Sequence, residues 1–494
     1  MGVVARQTVK ASIVSYIGVV IGYFNYLWIY PYALTAGEIG LYRALLDISL
    51  LFLPFVQLGT DSIVVKFYPH FTDEKERYPN FFGYILLMPL VGFLLFLAAF
   101  MGFKDNLTDF FSEKSPLLIG YIYYIIPLIF LFVYVNILES YSRVKLRIVV
   151  PKIIREILVR IFTMVFIVTY FFQYIDLPTL ITLITSVYVL QLFMLLIYIF
   201  SLESVSLRPS ISFHKDALFG EMTTYSLFML LGRGGGIIVN RIDTIMTAAL
   251  LGLMDTGVYS VAYFIGMVLD MPRRALIAIL APLVSKALKD DDVSLLDDYY
   301  KKSSLNQLIV GSVLFVLLWV NIDNIFHFVP KNEIYAAGKY VVFFIALSRL
   351  FNMAMGINNE IIINSKYYRW NIILMPFLAV IAIATNYYFI PKYGIVGTAI
   401  ATAISIFLYN IIRLIFVYIK FGLQPFSFST IQSLIIMITM FGVSYLIPFL
   451  HSNLVDFLVR STVLLVFSIS TTYYLKISSD ANNLLHSLKK KYFG

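Results

Sequence analysis

Apolar runs of roughly 20 residues, the length that spans a bilayer core, follow one another along almost the whole chain. The polar breaks between them are short. Read this way, the sequence predicts about fourteen transmembrane helices, at 11–31, 40–66, 81–103, 117–139, 153–173, 178–200, 221–250, 256–286, 303–322, 339–363, 371–390, 394–418, 429–449 and 456–475. No stretch between them is long enough for a soluble domain. The first run is too long for a signal-peptide core and lacks a small-residue cleavage site, so it is expected to be a span.

The pattern is also duplicated. Glu38-Ile39-Gly40-Leu41-Tyr42 returns as Asp255-Thr256-Gly257-Val258-Tyr259, and Tyr174, Thr179 and Ser186 return at nearly the same offset as Tyr393, Thr398 and Ser405. Two echoes at one spacing mean two copies of one unit. In a polytopic membrane chain this is the usual mark of a secondary transporter, whose halves rock around a central site.

Composition agrees with the medium. The chain is 60% hydrophobic and 13% charged, with a mean hydropathy of +0.86, against about 45–50% apolar and about 25% charged for soluble chains. Its basic residues set an orientation. Arg6 and Lys10 precede the first span, and alternate loops then collect Lys75 and Arg77; Arg143, Lys145, Arg147 and Lys152; Arg208 and Lys215; Lys286, Lys289, Lys301 and Lys302; Lys366 and Arg369; Lys420; and Lys489, Lys490 and Lys491. The opposite loops hold Lys104, Lys114, Lys331, Lys339 and Lys392. Basic loops stay in the cytoplasm, so both termini are expected there. The net charge of +9 then reflects topology and contact with anionic membrane lipids, and no nucleic-acid partner is expected.

Several chemistries drop out. The chain has no cysteine, which removes disulfides, thiolate catalysis and cysteine–metal sites. Its five histidines, His70, His214, His327, His451 and His486, have no metal-like spacing, so no metal or cofactor is expected.

Charges inside the spans carry more information. Arg43, Asp47 and Asp61 fall within roughly 40° of one helix face, together with Pro54, which is expected to bend the second helix. In the eighth helix Pro272 lies beside Asp270, Arg273 and Arg274, and Asp270 is spaced to pair with either arginine. A buried Arg–Asp pair can simply mend a bundle core, but an arginine at helix centre costs ~2.5–3.5 kcal/mol even on a lenient insertion scale. Across these spans Arg43, Arg233, Arg241, Arg273, Arg274 and Arg349 face Asp47, Asp61, Asp243 and Asp270, a cationic surplus weighted to the second half. It points to a water-filled, anion-attracting cavity with the six arginines as candidate substrate-binding residues.

Asp61, Asp243 and Asp270 are the candidates for exchanging a coupling H+ or Na+. Asp61 ranks first because no basic residue stands three or four positions away, whereas Asp270 suits a structural or gating pair. The cluster Gly232-Arg233-Gly234-Gly235-Gly236 allows either a bend or close helix contact in the seventh span. Gly18 and Gly22 form a small-xxx-small face expected to pack within the chain, and Trp28, Trp319 and Trp370 read as interfacial belts.

Three stretches carry a family resemblance: Ser12-Ile13-Val14-Ser15-Tyr16-Ile17-Gly18; Asn240-Arg241-Ile242-Asp243 with Gly257-Val258-Tyr259-Ser260; and Pro391-Lys392-Tyr393-Gly394-Ile395-Val396-Gly397-Thr398-Ala399-Ile400-Ala401-Thr402. The last is the most specific. With them nearly the whole chain resembles the polysaccharide transport family, the O-antigen-type flippases of a superfamily that also holds multidrug exporters and lipid II flippases. The resemblance implies an all-α polytopic protein of two pseudo-symmetric six-helix bundles around a central cleft, plus two C-terminal helices. The divisions expected are 1–215, 216–420 and 421–494, the last ending in a basic cytoplasmic tail.

Within that superfamily, the first helix carries no charge between Lys10 and Glu38, where lipid II flippases usually place arginine and many drug exporters an aspartate. A membrane polysaccharide polymerase or ligase is disfavoured, because the longest outward loop, about 323–338, offers His327 but no paired carboxylates or nucleophile arrangement. The expectation is a non-enzymatic, monomeric flippase of the bacterial cytoplasmic membrane, moving an undecaprenyl-diphosphate-linked oligosaccharide outward by alternating access. A multidrug or lipid II exporter is the alternative.

Overall fold

The computed structural model describes residues 3–73, 81–202, 217–483 and 486. Among them there is no strand, and eleven helices are long and apolar enough to cross a membrane. Helices are what a chain immersed in hydrocarbon must form, because each backbone N–H and C=O has to be satisfied within its own segment. The chain is a multi-pass membrane protein. Several of the expected spans are interrupted or joined: among them, 153–173 carries a π turn at Ile154–Leu158, and 256–286 carries a 3-10 turn at Met267–Leu269. The spans 371–390 and 394–418 share one helical run, Tyr368–Phe421, broken at Gly394, whose φ of 57° and ψ of −140° are not helical. The basic residues expected at 75, 77, 208, 215 and 489–491 lie outside the described residues.

By packing, the chain forms two compact units, Met1–Ser260 with Ile372–Ile383, and Val261–Asn371 with Ala384–Gly494. These units follow contacts and differ from the divisions expected at 215 and 420. In the first, Ala36–Gln57 packs against Phe81–Ser112, Ile125–Val144 and Ala217–Leu250. In the second, Val293–Val320 is the shared partner of Asp270–Lys289, Lys339–Ala354 and the two C-terminal helices, Phe428–Leu446 and Asn453–Tyr474. Apolar clusters around Tyr300, Phe315 and Met440 fill the spaces between them.

Local breaks depart from the expected bends. Pro54 lies inside the continuous helix Ala36–Gln57, and the chain breaks one turn later, where Leu58 (φ 49°) and Gly59 (φ 68°) are left-handed. The hydroxyls of Thr60 and Ser226 take up the freed carbonyls of Gln57 and Leu58, which is how a broken helix survives inside a bundle. Likewise the second-half break is the 3-10 turn before Asp270, and Pro272 falls in the first turn of the next helix, where a missing N–H costs little. The Gly232–Gly236 cluster does not break its helix. Gly235 lets the backbone of Met375 and Pro376 approach, so a Cβ there would stand 2.6 Å from both. Gly18 and Gly22 pack within the chain as expected: Glu156 and Arg160 fill their missing side chains, and Arg160 Nη1 donates to Gly18 O at 2.5 Å. At a loop, Asp176 accepts the Thr179 N–H at 3.0 Å, and the Thr179 hydroxyl and amide hold its carboxyl below the usual range.

The duplicated motif meets itself. Gly40 faces the Leu253 carbonyl, and Gly257 faces the Ala36 carbonyl, so each copy's glycine makes room for the other copy's backbone. A side chain at either would need backbone to move. Gly40→Val and Gly257→Val should each cost at least the ~1–3 kcal/mol of an overpacked site. The check is the unfolding midpoint in detergent, with Gly37→Ala as a control that should be neutral, since a Cβ there meets nothing within 4 Å. An unchanged midpoint in both valine variants would remove the motif-to-motif contact from the account.

Candidate functional site

The interior charges of the first unit are mutually satisfied. Asp47 is fully buried; Arg241 Nη1 donates to its Oδ1 at 2.6 Å, while Arg43 Nε stands 2.8 Å from Oδ2 as an ion pair without hydrogen-bond alignment. Asp61 begins the helix Thr60–Asp73 and is not the unpaired carboxylate its local spacing suggested. Arg233, from the helix Ala217–Leu250, forms an ion pair with it. Gln57 Nε2 donates to Asp61 Oδ1 at 2.6 Å, and Asn136 in turn donates to Gln57 Oε1 at 2.8 Å. The correction has a plain cause: helix spacing reports partners along one helix and is blind to a guanidinium reaching across from another. Asp243 is also buried and accepts from the Tyr259 hydroxyl at 3.3 Å.

The second unit is less settled. Arg274 Nε donates to Asp270 Oδ2 at 2.7 Å, and Arg273 Nη1 stays 3.7 Å from Oδ1, too far for a hydrogen bond. Arg349 interacts electrostatically with the same carboxyl and reaches the Tyr263 hydroxyl at 3.3 Å. A further arginine, Arg413, is buried at 5% exposure; it donates to Asn371 Oδ1 at 2.7 Å and to the Tyr409 hydroxyl. It lies within electrostatic reach of Arg273 and of Glu360, itself buried, whose Oε2 has no hydrogen-bond partner. The same cost argument that picks out six arginines from the sequence applies to Arg413, and also to Arg160 and Arg460. Those two are bound structurally, Arg160 to Gly18 O and Glu156, Arg460 to Asp456.

The two interiors therefore differ. Arg43, Arg233 and Arg241 face Asp47, Asp61 and Asp243, whereas Arg273, Arg274, Arg349 and Arg413 face Asp270 and Glu360. Buried Nε donors of Arg273, Arg349 and Arg413 have no hydrogen-bond partner, and Arg274 is 66% exposed. Unfilled guanidinium donors with surplus positive charge can take an anion with more than one oxygen, for which planar N–H pairs are the best protein match. Among the described residues no three His, Cys, Asp or Glu side chains group as metal ligands.

The fold has known counterparts. A lipid II flippase, MurJ, in an inward closed conformation is similar with a TM-score of 0.73 at 15% identity, over 94% of this chain and 99% of that one. A multidrug resistance MATE family transporter of the MOP superfamily, inward-facing, is similar with a TM-score of 0.64 at 15% identity, over 84% of this chain and 98% of that one. An outward-facing multidrug resistance MATE family transporter of the MOP superfamily gives a TM-score of 0.53, also at 15% identity, over 85% of this chain and 96% of that one. At such identities the likeness is one of fold. No curated protein sequence matches the chain. The family model described as polysaccharide biosynthesis protein matches residues 7–288, more than half the length, and the chain belongs to that family.

Proposed function

We propose that the protein is a flippase that carries a polyprenyl-diphosphate-linked oligosaccharide, an O-antigen or related surface glycan unit, across the bacterial cytoplasmic membrane. The observation that carries this reading is the second unit's interior set, in which Arg273, Arg274, Arg349 and Arg413 face only Asp270 and Glu360, with the buried Nε donors of Arg273, Arg349 and Arg413 left unfilled. A diphosphate supplies the missing negative charge and several acceptor oxygens, while the lipid tail stays in the bilayer. Family membership supports a polysaccharide substrate, and the transporter folds it resembles support export over catalysis. Both termini lie on the cytoplasmic side in this reading, fourteen spans are crossed, and the site is exposed alternately to the two faces. A lipid II-type substrate is the second reading, favoured by the fold likeness to a lipid II flippase. The uncharged stretch of the first helix between Lys10 and Glu38 weighs for the first.

Replacing Arg273 and Arg274 together by alanine should lower surface-glycan export at least about tenfold while leaving a folded, membrane-inserted protein. Lysine at both positions should restore part of the activity if charge alone matters, and little if bidentate contact to phosphate matters. Normal export by the double alanine variant would end the proposal.

At Asp61 and Asp270, coupling to H+ or Na+ would run through carboxylates that already hold arginines, so an entering ion must compete with a guanidinium. Asp61→Asn removes the counter-charge of Arg233 from the buried end of the pair, which perturbs the pair whatever its role. The informative comparison is therefore Asp61→Asn/Arg233→Gln in proteoliposomes under an imposed pH or sodium gradient. A coupling role predicts that the double variant folds like wild type yet loses gradient-driven transport. Recovery of gradient-driven transport in the double variant would make the pair purely structural.

A further inference from the structure

A cavity of about 520 Å³ lies away from the arginine interior, within the second unit. That volume is inside the range of small-molecule sites, about 300–1,000 Å³. It sits where Val293–Val320 ends, where Lys339–Ala354 begins, and beside the segment that follows Phe428–Leu446. Trp319, Tyr445 and Phe449 provide aromatic wall, and Asp323, Lys339 and Arg460 provide polar wall. On the orientation expected from the basic loops, this is the outward end.

The charges of this cavity are neutralised by its own walls. Lys339 Nζ donates to both Asp323 oxygens, at 2.7 and 2.8 Å. Arg460 Nε donates to both Asp456 oxygens, at 2.9 and 2.8 Å, and its Nη atoms reach Ser444 O at 3.3 Å and Ile447 O at 3.1 Å. Asp456 is fixed in turn by Asn324 Nδ2 at 2.7 Å and Leu450 N at 3.1 Å. The wall is thus preformed and offers no surplus charge for a phosphate. Hydrogen-bonding capacity is nevertheless left over: a guanidinium has five N–H donors, of which Arg460 uses three, and Asp323 retains free lone pairs. The Trp319 ring is held by Phe343 at 4.7 Å and Tyr340 at 5.9 Å between centroids.

Aromatic wall, paired donors and acceptors, and no net charge match one ligand chemistry. The geometry points to a binding site for a neutral sugar residue, whose C–H face lies on the aromatic rings and whose hydroxyls engage Asp323 and Arg460. This goes beyond the transport reading, since it assigns a saccharide subsite separate from the arginines. Its failure is distinguishable from failure of that reading, because binding is measured without transport.

Trp28, Trp319 and Trp370 are the chain's three tryptophans, so Trp28→Phe/Trp370→Phe leaves Trp319 as sole reporter. Full-length protein in phosphatidylethanolamine nanodiscs is titrated with a panel of neutral mono- and disaccharides, with inorganic phosphate, and after exchange into phosphatidylglycerol. The site predicts a saturable change in Trp319 emission with at least one saccharide and none with phosphate. Asp323→Ala, a replacement at an exposed side chain, should weaken that saccharide about tenfold or more, the loss of a hydrogen bond to a charged group. Arg273→Ala should leave it unchanged. No saturable response to any saccharide overturns the assignment, as does a response confined to phosphate or to phosphatidylglycerol, or equal binding by Asp323→Ala.

Discussion

A guanidinium held inside a bilayer must find counter-charge from its own protein or from a ligand, and that constraint orders the interior of this chain. Burying a lone charge in a low-dielectric medium is costly, so intramembrane arginines pair, reach water, or wait for an anion. The first unit takes the pairing route: Asp47 holds Arg43 and Arg241, and Asp61 holds Arg233. The second unit leaves its balance open, with Arg273, Arg349 and Arg413 each keeping a buried donor unfilled. The asymmetry between the two units is what separates a structural set of charges from one suited to binding.

The helical scaffold follows from the same solvent. Where it breaks, hydroxyls take over the freed carbonyls, as Thr60 and Ser226 do at Gln57 and Leu58, and glycine allows backbones to meet, as Gly40 and Gly257 do. Both breaks precede an aspartate that opens the next helix, Asp61 in one half and Asp270 in the other. An acidic side chain there is favoured by the positive end of the helix dipole. The breaks thereby fix the carboxylates against which the arginines are arranged.

Much of this was legible in the chain. Apolar run lengths gave the helices, and the repeated Gly-Val-Tyr and Gly-Leu-Tyr motifs marked positions that pack on one another. The break at Gly394 fell at the first residue of the second of two runs that the sequence already separated. A surplus of arginine inside the spans was visible in the sequence, but not that Arg233 and Arg241 pair within the first unit while Arg273 and Arg349 keep unfilled donors. What was not legible depends on contacts between helices. Pro54 attracts attention as the bend because its lost hydrogen bond is a local fact, yet Leu58 and Gly59 yield instead, since Ser226 is there to cap them. Arg233 finds Asp61, and Arg413 finds Asn371, across distances along the chain that helical periodicity does not reach.

The central claim is that the open arginines of the second unit recognise diphosphate. The direct measurement is binding of undecaprenyl diphosphate and of uncharged undecaprenol to the purified protein in nanodiscs, comparing wild type with Arg273→Ala/Arg349→Ala. The account predicts that the diphosphate binds more tightly than the alcohol, and that the double substitution removes this preference while leaving the weak binding of the alcohol unchanged. Equal affinity of the wild type for both lipids, or a preference that survives in the double variant, would contradict it.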